Sequence, residues 1–286
     1  MFLIHVIHCA ITGRNFFVTP SDSLAILAAH ADLIPFFSQQ GGLRSVARSM
    51  PTSGAVDLVA KRLNLNLFET PTGWKFFGNV MDSKTMFQGP NYNPVICGEE
   101  SFGTGSNHVR EKDGMWAVLA WLSVLAHYNE DPSAAFVHVE DIVKQHWQSY
   151  GRNYYSRYDY EGVESQKAND VLNHLRSQFT ALPGSVFGPF TVATADEFTY
   201  LDPVDRTVSY NQGIRILFSD GSRIVFRLSG TAGSGATIRL YLEKYEGNVG
   251  RVDLHTAAAL ESLVQVALEV SDIVKLTGFE SPSVIT

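Results

Sequence analysis

Residues 97–115 read CGEESFGTGSNHVREKDGM. Glycines at 98, 103, 105 and 114 make this backbone pliable. Between them stand Glu99, Glu100, Ser101 and Thr104, short-range hydrogen-bonding groups, and Arg110 and Lys112 follow. A loop dense in carboxylates and hydroxyls with cations beside it suits a polyhydroxylated, anionic ligand such as a sugar phosphate. Directly after it, Asp113 is placed to cap a long buried helix over Met115–His127, with Trp116, Leu119, Ala120, Ser123 and Val124 at helical spacing.

Upstream, strand-like and helix-like segments alternate. Asn15–Val18 reads as extended, and Ser21 or Asp22 can cap a helix through Leu24, Leu27, Ala28 and Ala31. Val46–Ser49 is a short strand, Ser53 opens a helix through Val56, Val59 and Leu63, and Asn66–Glu69 is again a strand. Thr72 can cap a helix carrying Trp74, Phe77 and Val80. Such a rhythm predicts a three-layer α/β domain with a mixed, mostly parallel sheet. Val139–Ser149 forms a further helix, ended at Gly151.

Beyond residue 151 the pattern changes. Tyr154–Tyr160 mixes polar and aromatic residues, as a half-exposed strand does. Ile214–Phe218 and Arg223–Leu228 flank Ser219-Asp220-Gly221-Ser222, a hairpin signal because Asp-Gly suits the turn. Thr237–Leu242 is another strand, and Ala257–Leu276 reads as one long amphipathic helix covering a sheet face. The expected second domain is a smaller α+β unit with an antiparallel sheet. The division is therefore an atypical segment 1–12, an α/β domain 13–150 and an α+β domain 151–286.

The 286 residues carry 45% hydrophobic and 18% charged side chains, enough for a sizeable core. A net charge of -7 argues against a general nucleic-acid or anionic-membrane binder, so any anion site must be a local cluster of cations. The two cysteines, Cys9 and Cys97, form neither a disulfide framework nor metal-type spacing, which points to a reducing compartment, the cytoplasm. Met1–Ile11 is apolar but too short to span a bilayer, and it lacks a basic n-region; a buried strand over Phe2–Ile11 is expected.

A second loop runs from Arg227 through Ser229, Gly230, Thr231, Ala232 and three further glycine- or serine-type positions to Arg239. Two guanidinium forks, two hydroxyls and pliable backbone are the parts of a phosphate cradle. The competing reading is a Gly/Ser-rich hairpin with solvated arginines, and pattern alone does not separate the two. Thr70-Pro71-Thr72-Gly73-Trp74-Lys75 follows a strand, where ligands bind in α/β sheets, although an ordinary helix cap explains it as well. Ser49–Ser53 reads as a turn. The nine histidines contain no HExxH, with His138 and His146 read as helix-surface residues, and no metal ligand set is expected. No GxSxG elbow occurs in a strand-to-helix context. Glu99 and Glu100 are sequence neighbours and do not suit a glycosidase pair.

Several segments resemble alpha-D-phosphoglucomutases of the phosphohexomutase superfamily: Phe16–Ser23, Arg48–Ala55, Glu69–Asp82, Ile96–Leu125, Gly151–Glu161, Gly213–Leu228, Ala236–Tyr241 and Ser283–Thr286. The family has four domains around one cleft, and this chain is similar to the third and fourth. The resemblance implies that Glu99 and Ser101, with Gly98, read sugar hydroxyls, and that Thr72, Gly73 and Trp74 shape the same pocket. Lys112 would contact the phosphosugar and assist proton transfer. Arg227, Ser229, Gly230, Thr231 and Arg239 would hold the non-reacting phosphate. It further implies interconversion of glucose 1-phosphate and glucose 6-phosphate through a phosphoserine and glucose 1,6-bisphosphate, with Mg2+ in the complete enzyme.

The family's phosphoserine loop and its metal loop are not found in this sequence. The expectation is therefore the C-terminal half of such an enzyme, inactive by itself, with the N-terminal domains as its packing partner and no metal ligands of its own. The alternatives are a non-catalytic sugar-phosphate-binding or scaffold relative, or a truncated fragment without function. Ala232 stands where the family pattern has glycine, and Lys84–Val95 reads as a surface insertion.

Overall fold

The computed structural model describes residues 16–230 and 235–286. The segment 1–12, its expected strand, and Asn15, Thr231 and Ala232 lie outside the described residues. Two compact units result. One runs to Gly151 and includes Leu201–Thr207; the other comprises Arg152–Tyr200 and Val208–Thr286.

In the first unit, strands β1 (Ser45–Ser49), β2 (Asn66–Thr70), β3 (Val95–Gly98) and β4 (Thr104–Ser106) form a sheet in the order β2-β1-β3-β4. β1 is parallel to both β2 and β3, and only the short β4 runs antiparallel. The mixed, mostly parallel sheet expected from the sequence is thus the one found. Alternation along the strands sends Ala47, Val95 and Cys97 to one face, where they meet Trp74, Phe77, Val80 and Met81 of α4 (Trp74–Asp82). Each of those buried side chains contributes about 1.5–3 kcal/mol. On the other face lies α1 (Pro20–Ala29), whose Leu24 presses against Gly98. A short helix α2 (Pro35–Ser38), α3 (Ala55–Leu63), α5 (Gly114–Tyr128) and α6 (Val139–Tyr150) complete the unit.

Helix starts follow cap chemistry, with two shifts from the sequence reading. α1 is capped by Thr19, not by Ser21 or Asp22. Thr19 Oγ1 accepts from Asp22 N at 3.0 Å and donates to Asp22 Oδ2 at 2.9 Å, with Pro20 at the first helical position. The helix also ends at Ala29. Gly73, not Thr72, caps α4, at φ 127°, a conformation that favours glycine. α5 begins as expected, with Asp113 Oδ1 accepting from Trp116 N at 3.0 Å. His146 is buried on α6, not surface-exposed, and its ring stacks on Tyr150 at 4.6 Å. Burial, aided by nearby His30, pushes its pKa down to about 3.

The second unit is a seven-stranded sheet in the order β13-β5-β12-β11-β10-β7-β6. Its strands are β5 (Arg152–Val163), β6 (Val186–Phe187), β7 (Phe190–Glu197), β10 (Ile214–Phe218), β11 (Arg223–Gly230), β12 (Ala236–Glu246) and β13 (Val284–Ile285), and every pair is antiparallel. A separate ribbon pairs β8 (Tyr200–Leu201) with β9 (Val208–Ser209). One sheet face, carrying Tyr154, Tyr160, Phe226, Ile238, Leu240 and Leu242, packs into a core with α7 (Ser165–Ser177) and α8 (Thr256–Ser271). The expected single helix over Ala257–Leu276 is broken. Asp272 adopts the left-handed conformation at φ 49°, and α9 (Ile273–Thr277) follows it. The segment 201–207, sequentially inside the second domain, belongs to the first unit. Asn79 Nδ2 on α4 donates to Asp202 Oδ2 at 3.0 Å and Asp205 Oδ2 at 2.9 Å.

Candidate functional site

Glu99 is the centre of the first cluster. It sits where β3 ends, and its backbone N–H donates to Gly103 O, closing a tight loop. The side chain is buried at 5% exposure. Its Oε1 accepts from the Gly73 backbone N–H at 3.1 Å, and its Oε2 accepts from Trp74 Nε1 at 3.0 Å. Lys112 Nζ, on a largely exposed side chain, stands 3.8 Å from Oε2. Burial raises the carboxyl pKa, and the neighbouring Glu100 charge adds to this. The Gly73 N–H, Lys112 and Trp74 oppose the rise. A buried carboxylate held by two hydrogen-bond donors and flanked by a lysine keeps lone pairs for a ligand hydroxyl and a fixed orientation in which to offer them.

Small residues make this arrangement possible. A Cβ on Gly105 would come within 2.9 Å of the Trp74 ring, and one on Gly103 within 3.0 Å of Glu99 Oε2. Gly98 serves packing: a Cβ there would meet Leu24 at 2.7 Å. Thr72 Oγ1 is buried without a hydrogen-bond partner, so the pocket holds an unsatisfied hydroxyl next to Gly73. Ser101 is half-buried on the same loop. Arg110 turns away from Glu99 and is bound to Asp82, with Nη2 to Oδ1 at 2.5 Å. His108 pairs with Asp113 Oδ2 at 3.0 Å and stacks on Trp116, which fixes the far end of the loop.

A supporting network was not singled out in the sequence. Glu100, buried, accepts from Ser49 Oγ at 3.0 Å, and Ser49 Oγ lies 2.7 Å from Thr52 Oγ1. Arg48 gathers the Ser49–Thr52 turn by donating Nη1 to the carbonyls of Ser49, Met50 and Thr52, and it is paired with Asp57 at 2.6 Å and Glu69 at 2.9 Å. The turn read over Ser49–Ser53 is present, and it braces the Glu99 loop. An arginine at the last turn of an otherwise small-residue strand was the available signal.

The second cluster lies on β11 and β12. Arg227 and Arg239 are direct cross-strand partners, as are Ser229 with Thr237 and Gly230 with Ala236. Side chains directly opposite share one face about 5 Å apart, and like charges so placed are destabilising. Asp159 of β5 is the next residue in this row, opposite Arg239. Its Oδ2 is 3.0 Å from Arg157, while its Oδ1 and Arg239 Nε are both buried without hydrogen-bond partners. Arg227 Nε donates to Gln212 O at 3.2 Å. A cavity of about 340 Å³ opens beside Arg227, lined also by Asn169, Arg176, Asn211 and Gln212. Arg239 and Ser229 do not line it. Two arginines in direct cross-strand register, one with a buried Nε that has no hydrogen-bond partner, offer cationic donors to an anion.

A mostly parallel α/β sheet with a buried carboxylate at one strand end, followed by an antiparallel sheet carrying the Arg227–Arg239 register, places the chain among two-unit α/β proteins. Residues 20–150 match the model of the phosphoglucomutase/phosphomannomutase alpha/beta/alpha domain III, and residues 152–283 match that of the phosphoglucomutase-1 C-terminal domain. A probable cytoplasmic phosphoglucomutase of Arabidopsis thaliana is 55% identical over 96% of this chain and 48% of its own length. A chloroplastic phosphoglucomutase of the same plant is 53% identical, over 96% and 43%. The open-form crystal structure of the Paramecium phosphoprotein pp63/parafusin, itself a phosphoglucomutase, superposes with a TM-score of 0.84 at 55% identity, over 96% of this chain and 44% of that one. The chain belongs to the phosphoglucomutase family and corresponds to its C-terminal half. It spans about half the length of the curated relatives it matches.

Among the described residues no group of three or more His, Cys, Asp or Glu side chains could hold a metal ion. No helix among the described residues is long and apolar enough to cross a membrane.

Proposed function

We propose that this chain is the sugar- and phosphate-binding half of a phosphoglucomutase that interconverts glucose 1-phosphate and glucose 6-phosphate. The reaction would run by intramolecular phosphoryl transfer, through a phosphoserine and glucose 1,6-bisphosphate. Glu99 accepts a sugar hydroxyl's hydrogen bond, with Ser101, Thr72, Gly73 and Trp74 shaping the pocket and Lys112 beside the carboxylate as a mobile cation. Arg227 and Arg239, with Ser229, Gly230 and Thr231, hold the phosphate that is not being transferred. The serine, the Mg2+ site and hence turnover belong to the other half of the enzyme, and the proposed compartment is the cytoplasm.

The single observation that carries this reading is the Arg227–Arg239 cross-strand register, with the buried Arg239 Nε left without a hydrogen-bond partner. Calorimetric titration of glucose 1-phosphate into the 286-residue chain tests it. Weak saturable binding is expected, falling about 10-fold or more in Arg227→Ala, because hydrogen bonds to charged groups contribute roughly 1.5–3 kcal/mol. Unchanged affinity in that variant contradicts the phosphate role. Mutase turnover by the purified chain alone, with glucose 1,6-bisphosphate added, contradicts the assignment of the chemistry to the other half.

A further inference from the structure

Three helices of the first unit end at one small cavity of about 130 Å³. α1 reaches it with Ala29 and the cap residue His30, α5 with Tyr128, and α6 with Ser149 and Tyr150. Along α6, Ile142, Gln145, His146 and Ser149 recur at i, i+3, i+4 and i+7, so one stripe of the helix runs along the cavity. Ile142 and His146 are buried, whereas Gln145 and Ser149 are exposed, which gives the cavity a closed floor and an open mouth. It shares no lining residue with the Glu99 loop or with the cavity beside Arg227.

Two of its ring side chains are engaged with each other. His30 Nδ1 lies 2.9 Å from Ile26 O, and its Nε2 lies 2.9 Å from Tyr128 Oη. A carbonyl can only accept, so Nδ1 carries a proton and Tyr128 takes up the other nitrogen. His146 differs, because its Nδ1 is buried without a hydrogen-bond partner. Burial, aided by His30, pushes its pKa down to about 3, so the ring is neutral at pH 7 and has one donor and one acceptor to offer. A leucine at this position would pack without polar cost, whereas a buried polar atom left unpaired destabilises the fold. The imidazole is also held in place. Tyr150 stacks on it with centroids 4.6 Å apart at 23°, and the Arg62 guanidinium of α3 lies 4.9 Å over the Tyr150 ring. Arg62 further donates to Ser149 O at 3.2 Å, which ties down the end of α6.

Size, charge and bonding together define the guest. An apolar protein cavity of about 150 Å³ takes a single benzene ring, so this one takes a guest of that size. Four of its lining residues, His30, Tyr128, His146 and Tyr150, carry flat rings on which such a guest can stack. No Asp, Glu, Lys or Arg lines it, so a charged guest finds no counter-charge, and the ends of three helices carry partial negative charge that repels an anion in particular. We propose that the cavity between the ends of α1, α5 and α6 is a binding site for an uncharged, single-ring heteroaromatic molecule with both a hydrogen-bond donor and an acceptor, the class that nicotinamide represents. The site is separate from the proposed sugar and phosphate clusters and does not depend on their assignment.

Nicotinamide is titrated into the 286-residue chain, and binding is followed by the 15N shifts of the His146 imidazole. Nicotinate, the same ring with a carboxylate, is the matched anion. Saturable shifts are expected with nicotinamide, and about tenfold or weaker affinity for nicotinate. Ala29→Leu fills the cavity from α1 and should weaken nicotinamide binding about tenfold or more. Should that variant not fold, Ser149→Phe at the exposed mouth replaces it, with the same expectation. Absence of a saturable shift, which would mean that the cavity holds ordered water only, overturns the proposal. So does equal affinity for nicotinate, or unchanged nicotinamide binding in the filled variant. Glucose 1-phosphate binding is expected to be the same in Ala29→Leu as in the native chain, so failure here and failure of the phosphosugar assignment are told apart.

Discussion

The loop after β3 and the strands β11 and β12 solve opposite problems. Around Glu99 one buried carboxylate has two hydrogen-bond donors and a lysine beside it, which together hold it still. Around Arg239 a second arginine stands in direct cross-strand register, and a buried N–H is unmet. The first arrangement is complete in the protein itself, and in the proposed function it accepts from a neutral hydroxyl. The second is incomplete without an anion. Preorganisation for a hydroxyl stabilises the fold, whereas preorganisation for a phosphate costs stability until the phosphate arrives.

The largest expected effect breaks the brace under the first cluster. Arg48→Met leaves Asp57 and Glu69 without their cation and frees the Ser49–Thr52 turn. Breaking a buried pair costs about 3–5 kcal/mol, and the partly exposed acids put this one near the low end, about 3 kcal/mol by urea unfolding. A loss below about 1 kcal/mol would show that the brace is decorative. Next comes Gly105→Ala, whose methyl would collide with the Trp74 ring. About 1–3 kcal/mol of overpacking is expected, together with weaker sugar binding, since Trp74 positions Glu99.

Acid should separate the two regions. The folded pKa of His146 is depressed to about 3, so the unfolded state binds its proton first. Stability is then fully present above the unfolded value of about 6.5 and falls with pH through the window below it. Between pH 7.5 and pH 5 the first unit should lose about 2 kcal/mol from this residue. In His146→Leu that difference between the two pH values should shrink by the same amount, as read from urea midpoints of α6-region probes. An unchanged pH dependence contradicts the buried neutral imidazole. The smallest effect is Lys112→Ala. Its exposed ion pair at 3.8 Å contributes about 0–1 kcal/mol to stability, so any larger change should appear only in phosphosugar affinity.

Much of this contrast was legible in the residues. Alternating apolar segments fixed the sheet class of both units, and Asp113 and Gly151 marked helix ends by their own chemistry. Composition singled out the loops around Glu99 and Arg227, and for the second it left a phosphate cradle and a solvated hairpin unseparated. Other features required the folded chain. α7 hid because only Ala168, Val171, Leu172 and Leu175 of its thirteen residues face the core, amid polar neighbours. The break at Asp272 is a single left-handed residue inside an unbroken apolar period. His146 reads as polar, and only the packing of α6 shows it to be interior. Register is the deepest case: that Arg227 stands opposite Arg239 depends on where the intervening loop places the turn, which spacing alone does not set.

The most direct test measures unfolding free energy with and without glucose 1-phosphate for the native chain and for Arg239→Met. The account predicts that the variant is as stable as the native chain or more so without ligand, because a buried orphaned N–H is removed. It also predicts that a ligand concentration giving the native chain about 2.7 kcal/mol, a hundredfold excess over Kd, gives the variant at least about 1.4 kcal/mol less. A variant that is destabilised without ligand and keeps the full ligand-induced gain would contradict the claim that this pair is held apart for a phosphate.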